Sequence, residues 1–200
     1  MANRYVAAAP EFIPVPLSAL KAHLKIQSDA QDAVLTDALN DAVDLIERYT
    51  ARYLAQREVI AHVDELELGG STMASPYAWL KRAPVLDDAV STVVVDGTSL
   101  PPTDWRLKIS GEQAHVHLLQ GVTSVAGALP YPLKITFKAG YKTAQDVPAG
   151  LRRAVLELAT HLYTNPGDCG GCEGGGSSAS EIPASIRAKL SLYTIRRVFA

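Results

Sequence analysis

Apolar residues recur at the spacing of an α-helix in several stretches of the chain. The clearest stretch runs from about Ala30 to Leu54 and carries one apolar face: Val34, Leu35, Ala38, Leu39, Ala42, Leu45, Ile46, Tyr49 and Tyr53. Aspartates crowd its start and arginines its end, which complements the helix dipole at both termini. A shorter helix is predicted after Pro16, with Ser18 as its N-cap, and another from about Ala149 to Tyr163.

Short β-type runs occupy the region between these helices. The predicted strands are Glu58–Leu68, Val90–Val95, Trp105–Ile109, Ala114–Leu118 and Leu133–Ala139. Asp96-Gly97 predicts a two-residue hairpin turn, and residues 110–113 predict a second hairpin. The stretch from Pro76 to Pro84 is predicted to be a loop.

The order of these elements predicts an α+β protein, mainly a helical bundle with a small antiparallel β-region and a flexible C-terminal arm. Four parts are expected along the chain. They are a flexible N-terminal arm (1–13), a core (14–166) that includes a β-region (57–139), a Gly/Ser linker (167–181) and a C-terminal docking segment (182–200).

Composition narrows the possible functions. The 200 residues include 19 Lys+Arg and 21 Asp+Glu, a net charge of −2, which argues against a strongly basic duplex-binding protein. No run approaches the ~18 apolar residues of a membrane span, and no membrane partner is expected. The short Ala-rich N-terminus lacks the apolar core of a secretory signal, and the only two cysteines form no disulfide framework, so a reducing cytoplasm is expected.

Candidate chemistry is sparse. Cys169 and Cys172, with His161 upstream, could serve a metal or redox site, but no fourth ligand is evident and two tolerated thiols are favoured. His115 and His117 share one face of a strand, for which a polar outer surface is favoured over a metal site. Nucleophile elbows, phosphate loops and dinucleotide fingerprints are missing, so no catalytic residue and no cofactor is predicted.

The C-terminal segment has a distinct character. From Pro183 to Ala200 it carries four cations and no acid, interleaved with apolar and aromatic residues. This pattern favours docking into another chain, and contact with DNA phosphates as an accessory DNA-binding module is an alternative. A terminal helix that folds back onto its own core is also compatible with the pattern.

Several stretches together resemble the head–tail connector proteins of long-tailed phages and gene transfer agents. The resemblance spans about Pro14 to Tyr193. It rests on Pro16–Ile26, the helix from Asp32 to Thr50, Ile135–Tyr141, Val147–Val155, His161–Tyr163 and Ile182–Ile186. The Gly-rich stretch from Cys169 to Ser180 is longer than expected for this family.

The resemblance implies a structural adaptor in the virion, at the head–tail junction, assembled in the bacterial host cytoplasm. It implies a ring, expected to be a dodecamer, that docks on the portal after DNA packaging and receives a stopper or tail-completion protein. Double-stranded DNA would pass through the lumen without sequence-specific contacts. The family carries no catalytic residues. The residues expected to contact the portal lie in the C-terminal segment: Ile186, Arg187, Leu190, Tyr193, Arg196, Arg197 and Phe199.

Overall fold

The computed structural model describes residues 4–63, 77–111, 113–119, 133–165 and 182–195. The chain divides into two compact units. The β unit comprises Met1–Glu11 and Ala55–Tyr141, and the helical unit comprises Phe12–Leu54 and Lys142–Ala200. The chain therefore enters the β unit, crosses into the helical unit, returns to the β unit and finishes in the helical unit.

The helical unit contains four helices in its described residues: α1 (Leu17–Leu24), α2 (Asp32–Thr50), α3 (Ala149–Thr164) and α4 (Ala184–Leu190). The long helices α2 and α3 pack against each other, and α1 and α4 pack onto both. Their apolar stripes form one core, whose fully buried members include Leu20, Leu35, Leu39, Ile46, Leu151 and Leu158. The sequence prediction of α2 and α3 is confirmed, because both helices carry one continuous apolar face.

The ends of the first two helices are held by different means. Helix α1 follows Pro16 rather than a Ser18 cap, so that part of the prediction is wrong; Pro16 precedes the helix and no side chain caps it. Pro16 has extended backbone dihedrals, φ −70° and ψ 149°, as is typical of a residue at the N-cap. Helix α2 ends at Thr50, and the C-cap residue Ala51 adopts the left-handed conformation with φ 57°. Just beyond, the buried carboxylate of Glu47 accepts a hydrogen bond from the Leu54 amide at 2.7 Å.

The β unit contains eight strands in its described residues. In chain order they are β1 (Arg4–Ala7), β2 (Arg57–Val63), β3 (Tyr77–Leu80), β4 (Val85–Val95), β5 (Thr98–Ser99), β6 (Trp105–Ser110), β7 (Gln113–Leu118) and β8 (Leu133–Ala139). They form a five-stranded sheet in the order β1-β2-β8-β4-β5 and a three-stranded sheet in the order β3-β7-β6. Every pairing is antiparallel.

Strand β8 shows how the sequence pattern positions the larger sheet. Its residues alternate as predicted, with Leu133, Ile135 and Phe137 buried and Lys134 and Lys138 exposed. The strand ends at Ala139 and is followed by Gly140, where φ is +113° and the backbone passes against Ala55 and Gln56. Glycine is required here because a Cβ would lie 2.6 Å from the Ala55 carbonyl carbon and 2.8 Å from the Gln56 nitrogen.

Both predicted hairpins are confirmed. Asp96 and Gly97 have φ values of 48° and 83° between β4 and β5, as a tight turn with two left-handed residues requires. Strands β6 and β7 pair in register from Trp105 opposite Leu118 to Ser110 opposite Gln113.

The prediction of a mainly helical bundle is wrong. Strands contain about as many of the described residues as helices do, and they form two antiparallel sheets, although the α+β class holds. The β content was underestimated because many strands are short and give only a few alternating positions each. Tyr77–Leu80 lies in the predicted loop yet forms β3, and Arg4–Ala7 of the expected N-terminal arm pairs with Val59–His62.

Candidate interaction surfaces

The C-terminal segment, as far as residues 182–195 describe it, packs onto its own helical unit. Ile182, Ile186 and Leu190 are all buried, with Leu190 fully inaccessible to solvent. The spacing of Ile186 and Leu190 places both on one face of α4, which contacts α3 and α2, and Ile182 lies just before this helix. The expected flexible C-terminal arm is therefore corrected for these residues: the apolar stripe of α4 buries against the core of its own unit.

Polar contacts reinforce this packing. The Lys189 ammonium lies 2.7 Å from Glu157 Oε2 on α3, and Arg153 Nε lies 3.0 Å from Glu157 Oε1. The hydrogen bond from Lys189, assisted by Arg153, lowers the pKa of Glu157 below its ordinary value against the opposing effect of burial. Glu157 therefore joins one cation of α3 and one of α4.

Beyond α4, the chain returns to the end of α2. The buried Arg52 side chain donates from Nε to the Tyr193 carbonyl oxygen at 2.5 Å, and the Ile195 amide donates to the Thr50 carbonyl at 3.2 Å. Leu192, between these contacts and α4, is 85% exposed. The segment is thus held on both sides of one protruding leucine.

These contacts show where the predicted portal-contact residues lie. Ile186 and Leu190 are inside the helical unit, and Arg187 is half-buried and donates two hydrogen bonds to the Ile182 carbonyl. Tyr193 is half-buried beside Gly150. Arg196, Arg197 and Phe199 lie outside the described residues. Residues 182–195 follow the fold-back arrangement that the sequence left open as an alternative.

A groove of about 490 Å³ lies elsewhere in the helical unit, beside α1 and α3. Its walls are mainly apolar and come from the segment before α1, the loop before α3 and α3 itself: Pro14, Val15, Pro16, Ala19, Ala144, Gln145, Ala149, Arg152, Arg153 and Leu156. The buried Nε of Arg152 has no hydrogen-bond partner among the described residues. Sequence reasoning missed this groove because its walls are distant in the chain.

The two histidines singled out in the sequence lie on β7, within a cluster of rings. His115 is opposite Trp79 and His117 is opposite Tyr77 on the neighbouring strand β3. The ring centroids of Trp79 and His115 are 4.6 Å apart, and those of His115 and His117 are 4.7 Å apart. Tyr77 and Trp79 were missed as members of a surface because β3 was predicted to be a loop.

The environment of both imidazoles disfavours their protonated form. Burial lowers the pKa of both His115 and His117 from the ordinary value of 6.5. Positive charge acts in the same direction, from His117 and Lys108 on His115 and from Lys108 on His117. Both rings are therefore protonated less readily than a free imidazole.

Metal chemistry has little support in the described part of the chain. Nowhere in residues 4–63, 77–111, 113–119, 133–165 and 182–195 do three His, Cys, Asp or Glu side chains come together as potential ligands. His161 lies on α3, with its Nδ1 3.1 Å from Asn165 Nδ2, whereas Cys169 and Cys172 lie outside the described residues. No helix among the described residues is long and apolar enough to span a membrane.

Comparison with known proteins bears directly on the resemblance seen in the sequence. Residues 15–77 match the family of phage gp6-like head–tail connector proteins, and this range includes α1, α2 and β2. The predicted resemblance to phage head–tail connectors is confirmed. No curated protein sequence matches the chain.

Similarity of fold to solved structures extends beyond the range of the family match. A chain from the neck of an empty gene transfer agent particle, computed with C6 symmetry, is similar over 100% of this chain and 99% of its own length. Its TM-score is 0.69 at 22% identity. A chain from the virion of a native gene transfer agent particle has the same coverages, with a TM-score of 0.65 at 22% identity. These values show a shared fold that includes both units.

A third similar structure comes from the neck of a native gene transfer agent particle, computed with C12 symmetry. It has a TM-score of 0.59 at 23% identity and covers 100% of this chain and 99% of that one. The two β-sheets and four helices of the described residues therefore belong to a fold that occurs in such particles.

Proposed function

We propose that this chain is a structural adaptor at the head–tail junction of a phage-like particle. The family match over residues 15–77 carries the proposal, because that family is defined as head–tail connectors. The fold shared with chains of gene transfer agent necks supports it. The proposal assigns no catalytic residue and no cofactor to the chain, and it places the protein in the virion after assembly in the bacterial host.

The adaptor acts as a ring. A similar chain occurs in a neck computed with C12 symmetry, and another in a neck computed with C6 symmetry, so we propose twelve copies around one axis. Ring symmetry multiplies modest contacts, so each subunit needs only a small interface for the assembly to stay attached. Packaged duplex DNA passes through the lumen, and the net charge of −2 favours weak contacts with it.

One end of the ring binds the portal and the other receives a stopper or tail-completion protein. We propose that the C-terminal segment provides the portal contact, with two roles among its residues. Ile186 and Leu190 anchor α4 in the helical unit, since both are buried there. The contact itself then comes from Leu192, which is 85% exposed, together with Arg187, Tyr193, Arg196, Arg197 and Phe199.

The experiment compares two single changes that remove an exposed apolar side chain from the helical unit. Leu192→Ser alters the proposed portal contact, and Val34→Ser, at a position 57% exposed on α2, is the matched control. Co-sedimentation with the cognate portal measures binding. Loss of binding in Leu192→Ser with retention in Val34→Ser supports the assignment, while equal binding by both variants removes Leu192 from the contact. An unmodified chain that does not bind the portal contradicts the proposed function.

A further inference from the structure

The three-stranded sheet presents an ordered array of rings and cations on one face. The register across β3, β7 and β6 creates two parallel rows. The first row is Tyr77, His117 and Arg106, and the second is Trp79, His115 and Lys108. Alternation along the strands puts all six side chains on the same face, because their positions differ by two residues within each strand.

This face is the solvent side of the sheet. Arg106 and Lys108 are exposed, and the four rings are half-buried, whereas Ala78, Leu80, Ala114, Val116 and Leu118 on the other face are buried. Tyr77 meets Trp79 edge to face, with their centroids 6.0 Å apart, and its centroid is 5.6 Å from each imidazole. The rings therefore contact one another and form a continuous aromatic surface next to the two cations.

The charge on this face has one sign. Strands β3, β6 and β7 contain no aspartate or glutamate at all. Within the described part of the chain, neither Arg106 nor Lys108 forms an ion pair with a carboxylate. Among the described residues, therefore, no carboxylate competes with an external anion for either cation, and the two imidazoles lie between these cations and the aromatic residues.

We propose that this face binds single-stranded DNA, with Arg106 and Lys108 on the phosphates and Trp79 and Tyr77 stacked on unpaired bases. Proteins that bind single strands combine a cationic track with aromatic side chains in this way, and a sheet surface is a common platform for it. Residues two apart on a strand are about 6.7 Å apart, a spacing that an extended strand of nucleotides can match.

Duplex DNA fits this surface less well. The bases of a duplex are stacked and paired, so the aromatic surface has no free base face to contact. Two cations also neutralise few phosphates, and affinity for duplex DNA depends strongly on the number neutralised. The site lies wholly in the β unit, so the proposal goes beyond portal docking by the helical unit and stands or falls separately from it.

The test measures binding of the full chain to a fluorescently labelled 15-nucleotide oligo-dT by anisotropy, across a range of salt concentrations. The double variant Arg106→Gln/Lys108→Gln is expected to bind about 10-fold more weakly and to lower the salt slope by about 1.4, the value for two single-strand phosphate contacts. Trp79→Leu is expected to weaken binding about 5- to 10-fold with the slope unchanged, since stacking releases no counterions.

The matched control is Lys134→Gln/Lys138→Gln, which removes the same charge from exposed positions on β8 in the other sheet. Full affinity in this control supports the proposed face. Three results would overturn the proposal: an equal loss in the control, binding of a 15-base-pair duplex as tight as that of the single strand, or no binding of oligo-dT at 50 mM salt. Each leaves portal binding by the unmodified chain unaffected, so the proposed adaptor function is judged on its own experiment.

Discussion

Tyr193 lies directly over Gly150, near the start of α3. A Cβ at Gly150 would overlap the tyrosine hydroxyl and lie 3.0–3.1 Å from carbons of its ring. The absence of a side chain at position 150 thus makes room for the segment that follows α4. This is a relationship between the beginning of one helix and a residue more than forty positions later.

Gly150→Ala tests that relationship. In the unmodified background the alanine is expected to destabilise the helical unit, because Tyr193 must move away from α3. In a Tyr193→Ala background the same change is expected to raise the free energy of unfolding by up to about 1 kcal/mol, because alanine has a higher helix propensity than glycine. Urea unfolding of both single variants and the double variant gives a coupling free energy. Equal effects of Gly150→Ala in the two backgrounds would show that the two residues do not interact.

Leu190 and Leu192 offer a comparison of a buried and an exposed leucine in the same segment. Leu190→Ala is expected to reduce the free energy of unfolding by about 2–5 kcal/mol, because Leu190 is fully buried. Leu192→Ala is expected to change it by less than about 0.5 kcal/mol, because that side chain is 85% exposed. Thermal and urea unfolding measure both. Similar losses at the two positions would contradict the packing of α4 on the helical unit.

Glu157 gives the α3–α4 contact a pH dependence. Its pKa is lowered from 4.5, first by the hydrogen bond from Lys189, so the folded state favours the carboxylate. The resulting stabilisation is fully present above about pH 4.5 and is lost as pH falls through the lower folded-state pKa. Glu157→Gln is expected to cost about 0.2–1 kcal/mol at pH 7, as partly exposed ion pairs do.

The difference in the free energy of unfolding between the Glu157→Gln variant and the unmodified chain should therefore become smaller below pH 4.5. Unfolding curves at pH 7 and at several acidic values measure it. Asp44→Asn is the control, because its partner Arg48 is on the same helix and the pair does not join α3 to α4. A difference that grows at acidic pH would contradict the assigned role of Glu157.

Two glycines with positive φ distinguish backbone conformation from close approach in the β unit. Gly111 has φ +64° with open space around it. Gly111→Ala is therefore expected to lower the free energy of unfolding only by the cost of placing alanine in the left-handed region, about 1–2 kcal/mol. Gly140→Ala also introduces an overlap with the backbone at Ala55 and Gln56, so it is expected to lower the free energy of unfolding by more than Gly111→Ala does. Chemical unfolding of the two variants measures both losses. Equal losses of unfolding free energy would show that close packing at Gly140 contributes nothing to stability.

Sequence reasoning predicted the elements whose signal is local. Helix α2 has an apolar position in every turn, and β8 alternates over its whole length, so both could be located from the chain alone. The turn at Asp96-Gly97 was predictable because few dipeptides accept two left-handed residues. The resemblance to head–tail connectors was also accessible, since its residues are spread over much of the chain.

What the sequence could not predict depends on contacts between distant residues. Strand β3 is only four residues long and is recognisable as a strand only through its pairing with β7. The burial of Ile186 and Leu190 requires the surface that α2 and α3 provide, and the same stripe read alone equally predicts docking to another chain. The proposed DNA-binding face of the three-stranded sheet depends on the register of β3, β7 and β6. The sequence predicted a loop where β3 lies.

Cryo-electron microscopy of this protein mixed with its cognate portal tests the adaptor role most directly. The proposed function predicts a ring of twelve copies on one end of the portal, with residues 182–200 of each copy at the contact and the DNA channel open along the axis. A portal that carries no ring, or a chain that binds it through another surface as isolated copies, would contradict that role.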